Sequence, residues 1–192
     1  MSTEKRTDHK KVQSWWQTEI IDMRPGKIRI RGHDLEKLIG HLGFAQMIWL
    51  MLRGEIPSQS QAALLEAALV ASVDHGPQAP AIAAARMAVT CGVSLNNAMG
   101  TAVNMLGDVH GGAGEQCLEF LQQIRECTEG GTSLENAVGE AIKAYQRTQG
   151  KYLPGFGHRF HKPVDPRTLR LMELLEEAEQ NDIVSGDYRR IG

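Results

Sequence analysis

The chain has 192 residues, 42% hydrophobic and 23% charged, with Lys+Arg 21 against Asp+Glu 23 for a net charge of -2. That apolar content supports a folded core and excludes a disordered chain, while near-neutral charge with no basic stripe between aromatics argues against nucleic acid as a partner. The apolar runs are interrupted, as at Glu66, and too short to span a bilayer, and MSTEKRTDHKK has no apolar stretch behind its charges, so a cytoplasmic protein without membrane association is expected.

Residues 1–15 are polar, and Trp15 and Trp16 are expected to anchor this terminus onto the body. EIIDMRPGKIRIRG alternates apolar and polar residues on either side of Pro25-Gly26, which predicts a small β-hairpin, the one clear β signal. After Gly32 the period is helical. DLEKLIGHL and FAQMIWLMLRGE predict two short helices, the second ended by Gly54 and Pro57. Ser58 is placed to cap the next, running through QAALLEAALVAS to Asp74. APAIAAARMAVTCG and SLNNAMGTAVNMLG predict two more, the small residues of the first permitting close helix contacts. Leu134, Ala137, Val138, Ala141, Ile142 and Tyr145 give the clearest helical face, behind Thr132 and Glu135 in a capping-box arrangement. The last helix takes Asp165 as cap and Pro166 in its first turn, and is expected to bury Leu171, Leu174, Leu175 and Ala178. The fold class is all-α apart from the hairpin.

Three histidines lie in Gly- or Pro-rich breaks between helices, where backbone and side chain can both approach a ligand. These are VDHGPQAP with His75, GDVHGGAGEQ with His110, and YLPGFGHRFHKPVDPR with His158. His110 directly precedes a helix, with Gly111 and Gly112 leaving room beside it, and a neutral imidazole there could donate a hydrogen bond to an enolate or oxyanion. Pro154, Gly155 and Gly157 build a stiff turn with His158 at its tip. Arg167, in the first turn of the following helix, can fork a carboxylate, and Lys162 offers a mobile positive charge for phosphate.

Each of these residues also has a structural reading, as a cap, a partly buried ring or a solvated charge. HRFH is half a metal site, but with no companion Cys or Glu at ligand spacing no metal is expected. His9, His33, His41 and His161 read as structural. Cys91, Cys117 and Cys127 match no zinc or redox spacing and read as reduced, mostly buried small apolar residues. The residues taken alone stop at a helical protein that binds a small anion.

Taken together, the motifs resemble the citrate synthase family. YLPGFGHRFHKPVDPR resembles its Pro-Gly-Phe/Tyr-Gly-His segment ending in Asp-Pro-Arg, GDVHGGAGE its His-Gly-Gly-Ala motif, and GKIRIRGHDLEKLIGHLGFAQMIWLMLRGEIPS its N-terminal stretch. The likeness runs from about residue 20 to the end, with three motifs in order. DHGP, Asp74 to Pro77, departs from the synthases' Asp-His-Glu followed by Asn-Ala-Ser, and is similar instead to citryl-CoA lyases and the lyase-like part of ATP-citrate lyase.

The resemblance implies a citrate-synthase-like helical domain over 20–192 behind an N-terminal segment 1–19, with a large-domain core over 20–107 and a small-domain-like part from about 108. It implies cleavage of citryl-CoA to acetyl-CoA and oxaloacetate, or condensation of acetyl-CoA with oxaloacetate to citrate, with the CoA thioester as substrate and no cofactor. His110 would hydrogen-bond the thioester oxygen and His158 the ketone of oxaloacetate. Arg167 would hold a carboxylate, His75 would orient the same ligand, and Leu153, Pro154, Gly155, Phe156 and Gly157 would cradle the adenine end of CoA, with Lys162 near its phosphates. The family also implies a homodimer paired through antiparallel helices, for which the Ala- and Gly-rich segment 78–107 is suited. Family members continue beyond a point equivalent to Gly192 with an aspartate that removes the acetyl α-proton. Asp182 and Asp187, in a polar tail, do not replace it, so a C-terminally truncated fold is expected, with a non-catalytic acyl-CoA or dicarboxylate binder as the alternative function.

Overall fold

Two tight turns build the N-terminal sheet of this chain. The computed structural model describes residues 15–158 and 160–192, so the N-terminal segment through residue 14, with His9, lies outside the described residues. Strands β1 (Ile21–Arg24) and β2 (Lys27–Ile30) pair antiparallel, Ile21 opposite Ile30 and Arg24 opposite Lys27, around a turn in which Gly26 takes the left-handed φ of 75°. This is the predicted hairpin. A third strand, β3 (His33–Asp34), then pairs with β2, a step absent from the sequence reading. Its turn is Arg31-Gly32 with both φ values positive, 47° and 83°, the geometry whose twist matches that of paired strands. Arginine tolerates that strain here because its guanidinium donates twice to the Met51 carbonyl, at 2.8 and 3.2 Å. Trp15 and Trp16 are 79% and 77% exposed, so the expected anchoring is not seen.

Helix α1 (Leu35–Leu38) and helix α2 (Phe44–Arg53) close over the sheet. Leu50 is fully buried and shares a core with Ile30 and Leu38, ringed by Leu35, Leu42, Met47 and Met51. Gly54 ends α2 in the left-handed conformation, as its sequence position predicts. Helix α3 (Gln59–Ala71) starts with a reciprocal capping box: the Gln61 N–H donates to Ser58 Oγ at 3.2 Å and the Ser58 N–H to Gln61 Oε1 at 2.9 Å. It stops short of Asp74, tightening into i→i−3 bonds from the Ser72 N–H to the Leu69 carbonyl and from the Val73 N–H to the Val70 carbonyl. The chain divides into two compact units, Met1–Glu66 and Ala67–Gly192.

In the second unit, helices α4 (Pro80–Thr90) and α5 (Leu95–Val103) pack on one another. Helices α6 (Ala113–Glu129) and α7 (Leu134–Thr148) pair around Phe120, Ile124 and Ala137, with the Phe120 ring edge-on to Tyr145 at 5.9 Å. Ser133, not Thr132, caps α7, which moves Glu135 to the second helical position, and no side-chain cap bond forms. Helix α8 (Pro166–Gln180) buries Ala178, while Leu171, Leu174 and Leu175 are only half-buried. Residues expected to form a polar tail instead make helix α9 (Asp187–Ile191), whose Ile191 joins the Phe120 core. Glu179 of α8 binds Arg189 at 2.6 Å and Arg190 at 2.8 Å, and the Arg125 guanidinium lies over the Tyr188 ring. Of the cysteines, all free, Cys91 and Cys127 are exposed and only Cys117 is half-buried, which corrects the expectation that most are buried. Among the described residues no helix is long and apolar enough to cross a membrane.

Candidate active site

Arg167 is fixed by its own helix start. Asp165 caps α8, its carboxylate accepting the Arg167 backbone N–H at 3.0 Å, and the same two oxygens take the arginine's Nε at 3.0 Å and Nη2 at 2.6 Å. One carboxylate thereby stiffens both backbone and guanidinium. The Arg167 guanidinium holds the Asp165 carboxyl well below the usual carboxylate range, and Asp165 in turn raises the arginine. Nη1 is turned the other way, 3.3 Å from His75 Nε2 and 3.4 Å from the Ala71 carbonyl. Since a guanidinium can only donate, His75 Nε2 is the acceptor, and its proton resides on Nδ1.

His75 occupies the break between α3 and α4, where the Asp74 carboxylate accepts the Gly76 N–H at 2.9 Å and Gly76 takes a φ of 79°. Its ring centroid is 6.1 Å from that of His158. His158 Nδ1 accepts the Phe160 N–H at 3.1 Å and faces the His161 N–H at 3.4 Å, leaving Nε2 to carry the proton of the neutral ring. Partial burial pushes the His158 imidazole below the usual histidine value, and the nearby His161, Arg167 and His75 act in the same direction against Asp165. A neutral donor is the result. The structure thus gathers His75, His158 and Arg167 into one cluster and adds two residues the sequence reading assigned elsewhere, Asp165 as a cap and His161 as structural. Potential ligand atoms of His158, His161 and Asp165 lie within 4.8 Å of one another.

His110 is held separately, against the start of α4, where its Nε2 accepts the Ala81 N–H at 3.2 Å. Its Nδ1 is therefore the donating nitrogen, so it shares with His158 the device of a backbone amide on one ring nitrogen. Among the described residues no hydrogen bond or ring-to-ring contact joins His110 to His75, His158 or Arg167. The loop behind it is tight: the Gly107 N–H meets the His110 carbonyl at 2.9 Å, and the Gly112 N–H the Gly107 carbonyl at 3.0 Å. Gly112 serves that closure, because a Cβ there would come within 2.9 Å of the Asp108 backbone.

The segment from Leu153 to Gly157 lies against α6. Leu153 packs on the Phe120 core, Pro154 is buried, and Gly155, at φ 77°, lies so close to α6 that a Cβ would come 2.6 Å from the Cβ of Cys117. Gly157 is also left-handed at 80°, Phe156 is 44% exposed, and Lys162 is exposed beyond the turn. Burial raises the Cys117 thiol, which makes it a packing group rather than a nucleophile. The Ala81 amide and the Cys117 contact left no signal in the sequence, whereas Asp-Pro-Arg did: a cap residue two positions before an arginine can reach its side chain.

Residues 59–187 match the family model of the citrate synthase C-terminal domain. The chain is 33% identical over 157 residues to the glyoxysomal citrate synthase of Cucurbita maxima, covering 79% of this chain and 28% of that protein. It is 29% identical over 164 residues to the citrate synthase of Deinococcus radiodurans, covering 82% and 40%. Citryl-CoA lyase from Hydrogenobacter thermophilus superposes with a TM-score of 0.75 at 38% identity, over 92% of this chain and 64% of that one. The ATP citrate lyase of Methanothrix soehngenii, in complex with citrate and coenzyme A, shares the fold at a TM-score of 0.68 and 22% identity, over 94% and 31%. The chain thus spans well under half the length of these curated relatives. With a family model over most of its residues and the all-α architecture with its small hairpin shared with solved members, the chain belongs to the citrate synthase family.

Proposed function

We propose that this chain binds a CoA thioester and a keto-diacid and makes or breaks the carbon-carbon bond between them. In the cleavage direction the tertiary hydroxyl of citryl-CoA loses its proton and becomes the ketone of oxaloacetate. The electrons of the breaking bond pass into the thioester enolate, which takes a proton at carbon to give acetyl-CoA. Condensation runs the same steps in reverse, and hydrolysis of the thioester then yields citrate. The wording at Asp74 to Pro77 favours cleavage. So does the 38% identity to a protein described as citryl-CoA lyase.

In this reading His158 donates from Nε2 to the ketone oxygen and His110 donates from Nδ1 to the thioester oxygen. Each is preset as a neutral donor by the amide on its other nitrogen. Arg167 and His75 together hold a carboxylate of the diacid, the arginine giving up its Nη1 contacts to His75 and the Ala71 carbonyl to do so. Leu153, Pro154, Gly155, Phe156 and Gly157 cradle the adenine end of CoA and Lys162 meets its phosphates. Two copies pair through α4 and α5, where Met87, Leu95, Met99 and Val103 are each at least 60% exposed. The observation that carries the reading is the meeting of His75 with Arg167 across 92 positions of sequence, beside the His158 ring.

One observation favours the second reading, a non-catalytic acyl-CoA or dicarboxylate binder. Among the described residues the carboxylate touching this cluster is Asp165, and the arginine that keeps it ionised also makes it a weak proton acceptor. The test is to supply the chain with citryl-CoA and follow oxaloacetate through a coupled malate dehydrogenase. Oxaloacetate release supports the lyase; CoA binding by calorimetry with no release in either direction supports the binder.

A further inference from the structure

An arginine in the first turn of a long helix is a setting in which phosphate and sulfate bind, because free amides, the positive end of the helix and a fork of donors converge there. Helix α8 begins this way, with Arg167 in its first turn, but the chain supplies the anion itself. We propose that Asp165 is a specificity-determining residue: it fills from within the anion position formed by Arg167 and the start of α8, keeps inorganic anions off the arginine, and leaves one end of the guanidinium for a carboxylate of the diacid.

The Asp165 side chain is 10% exposed and accepts from the Arg167 backbone N–H and Nε on Oδ1, both at 3.0 Å, and from Nη2 on Oδ2 at 2.6 Å. Pro166 between them has its φ locked by the ring, so carboxylate and guanidinium share one stiff turn. A guanidinium has five N–H donors in a fixed plane. Asp165 occupies the Nε side, which leaves those at the far end, on Nη1 and the second N–H of Nη2. Nη1 meets only uncharged acceptors, His75 Nε2 at 3.3 Å and the Ala71 carbonyl at 3.4 Å. Those long contacts exchange for a ligand oxygen far more readily than the carboxylate bonded at 2.6 Å.

Charge and geometry then discriminate together. Asp165 offsets the charge of Arg167, so a dianion gains little here from attraction alone and must bind through directed bonds. The two end donors match the oxygens of one planar carboxylate. Tetrahedral sulfate or phosphate would draw instead on the amide and Nε that Asp165 already holds. CoA carries phosphates, and Lys162, proposed above to meet them, stands three residues before Asp165, so an arginine open to phosphate would be captured by the wrong end of that substrate. The exclusion of inorganic anions belongs to this cluster alone, while its value for the diacid rests on the role given to Arg167 under the proposed function.

The test compares sulfate with oxaloacetate. Both are dianions near neutral pH, so whatever any anion gains from removal of a negative charge is common to the two, and their ratio reports direction. Binding is followed through the imidazole NMR signals of His75 and His158 in wild type, Asp165→Ser and Glu173→Gln. Serine keeps a helix cap and removes the carboxylate. Glu173→Gln removes a charge from the same helix at an exposed position paired with Arg170. Wild-type signals should stay unmoved by sulfate at concentrations where oxaloacetate shifts them. Asp165→Ser, with α8 retained by circular dichroism, should bind sulfate about tenfold or more tighter, and its preference for oxaloacetate over sulfate should fall by about the same factor. Glu173→Gln should match wild type. A cap role alone predicts that serine changes neither affinity. Wild-type His75 and His158 signals that respond to sulfate as they do to oxaloacetate would overturn the proposal without any variant, and so would a folded Asp165→Ser chain with no gain in sulfate affinity. Sulfate gain in Asp165→Ser with no oxaloacetate binding by wild type would uphold the exclusion and refute the diacid reading instead.

Discussion

Replacing Gly155 by alanine tests whether the Leu153–Gly157 turn is rigidly seated for CoA. At φ 77° an L side chain pays the left-handed penalty, about 1–2 kcal/mol. The added Cβ would also lie 2.6 Å from the Cβ of Cys117 and 2.7 Å from its Sγ. The Cys117 Cβ is fixed by the helix backbone and cannot swing aside, whatever rotamer its sulfur takes, so the turn itself must lift. Overpacking of this kind adds about 1–3 kcal/mol. With a combined cost of about 2–5 kcal/mol, Gly155→Ala should lower CoA affinity by about thirtyfold to several thousandfold in calorimetry. The same cost should lower Tm by several degrees at about 2–4 °C per kcal/mol. Adding Cys117→Ala should not rescue, because it keeps the Cβ; adding Cys117→Gly should recover the overpacking part and leave the φ cost. An unchanged Tm for Gly155→Ala would refute the packing argument, and a lowered Tm with unchanged CoA affinity would refute the assignment of this turn to CoA.

Arg167→Lys keeps the charge and loses the fork onto Asp165, so citrate affinity should fall about tenfold or more in calorimetry, with α8 retained by circular dichroism. His158→Gln and His110→Gln should each lower turnover of citryl-CoA by about a hundredfold or more while changing CoA affinity little, as expected for donors used at the transition state. Leu95→Glu with Met99→Glu should convert a dimer to monomers in sedimentation, since both side chains are exposed on α5. In the sheet, Arg29 first and then Lys37 lower the Asp34 carboxyl from 3.8 to about 2. Because the folded value lies below the unfolded one, its stabilising contribution is complete above about pH 4 and is lost as pH falls towards 2. Carboxyl-carbon NMR should place that titration near 2, and Asp34→Asn should remove this component from acid unfolding.

Local chemistry made much of the fold legible. Pro25-Gly26, the Ser58 cap, Gly54 after α2 and Asp165-Pro166 before α8 each act within a few residues, and each appears where the sequence places it. What escaped depended on distant groups. β3 needs Arg31 in a strained conformation, and the bond that compensates comes from Met51, twenty residues on. The α9 segment is polar by composition, yet Glu179 and the Phe120 core dock it. At the site the breaks carrying His75, His110 and His158 were visible as glycine and proline punctuation. The pairing of Asp165 with Arg167, the approach of His161 to His158 and the Ala81 amide under His110 belong to the packed structure alone.

The most direct measurement is an imidazole NMR titration of the chain with citrate in the presence of CoA, with every histidine assigned. The account predicts that His75 and His158 shift together on citrate, that His110 responds to CoA thioester, and that Arg167→Lys abolishes the citrate response while His33 and His41 stay unmoved. Citrate shifts that leave His75 and His158 untouched, or that survive Arg167→Lys intact, would contradict it.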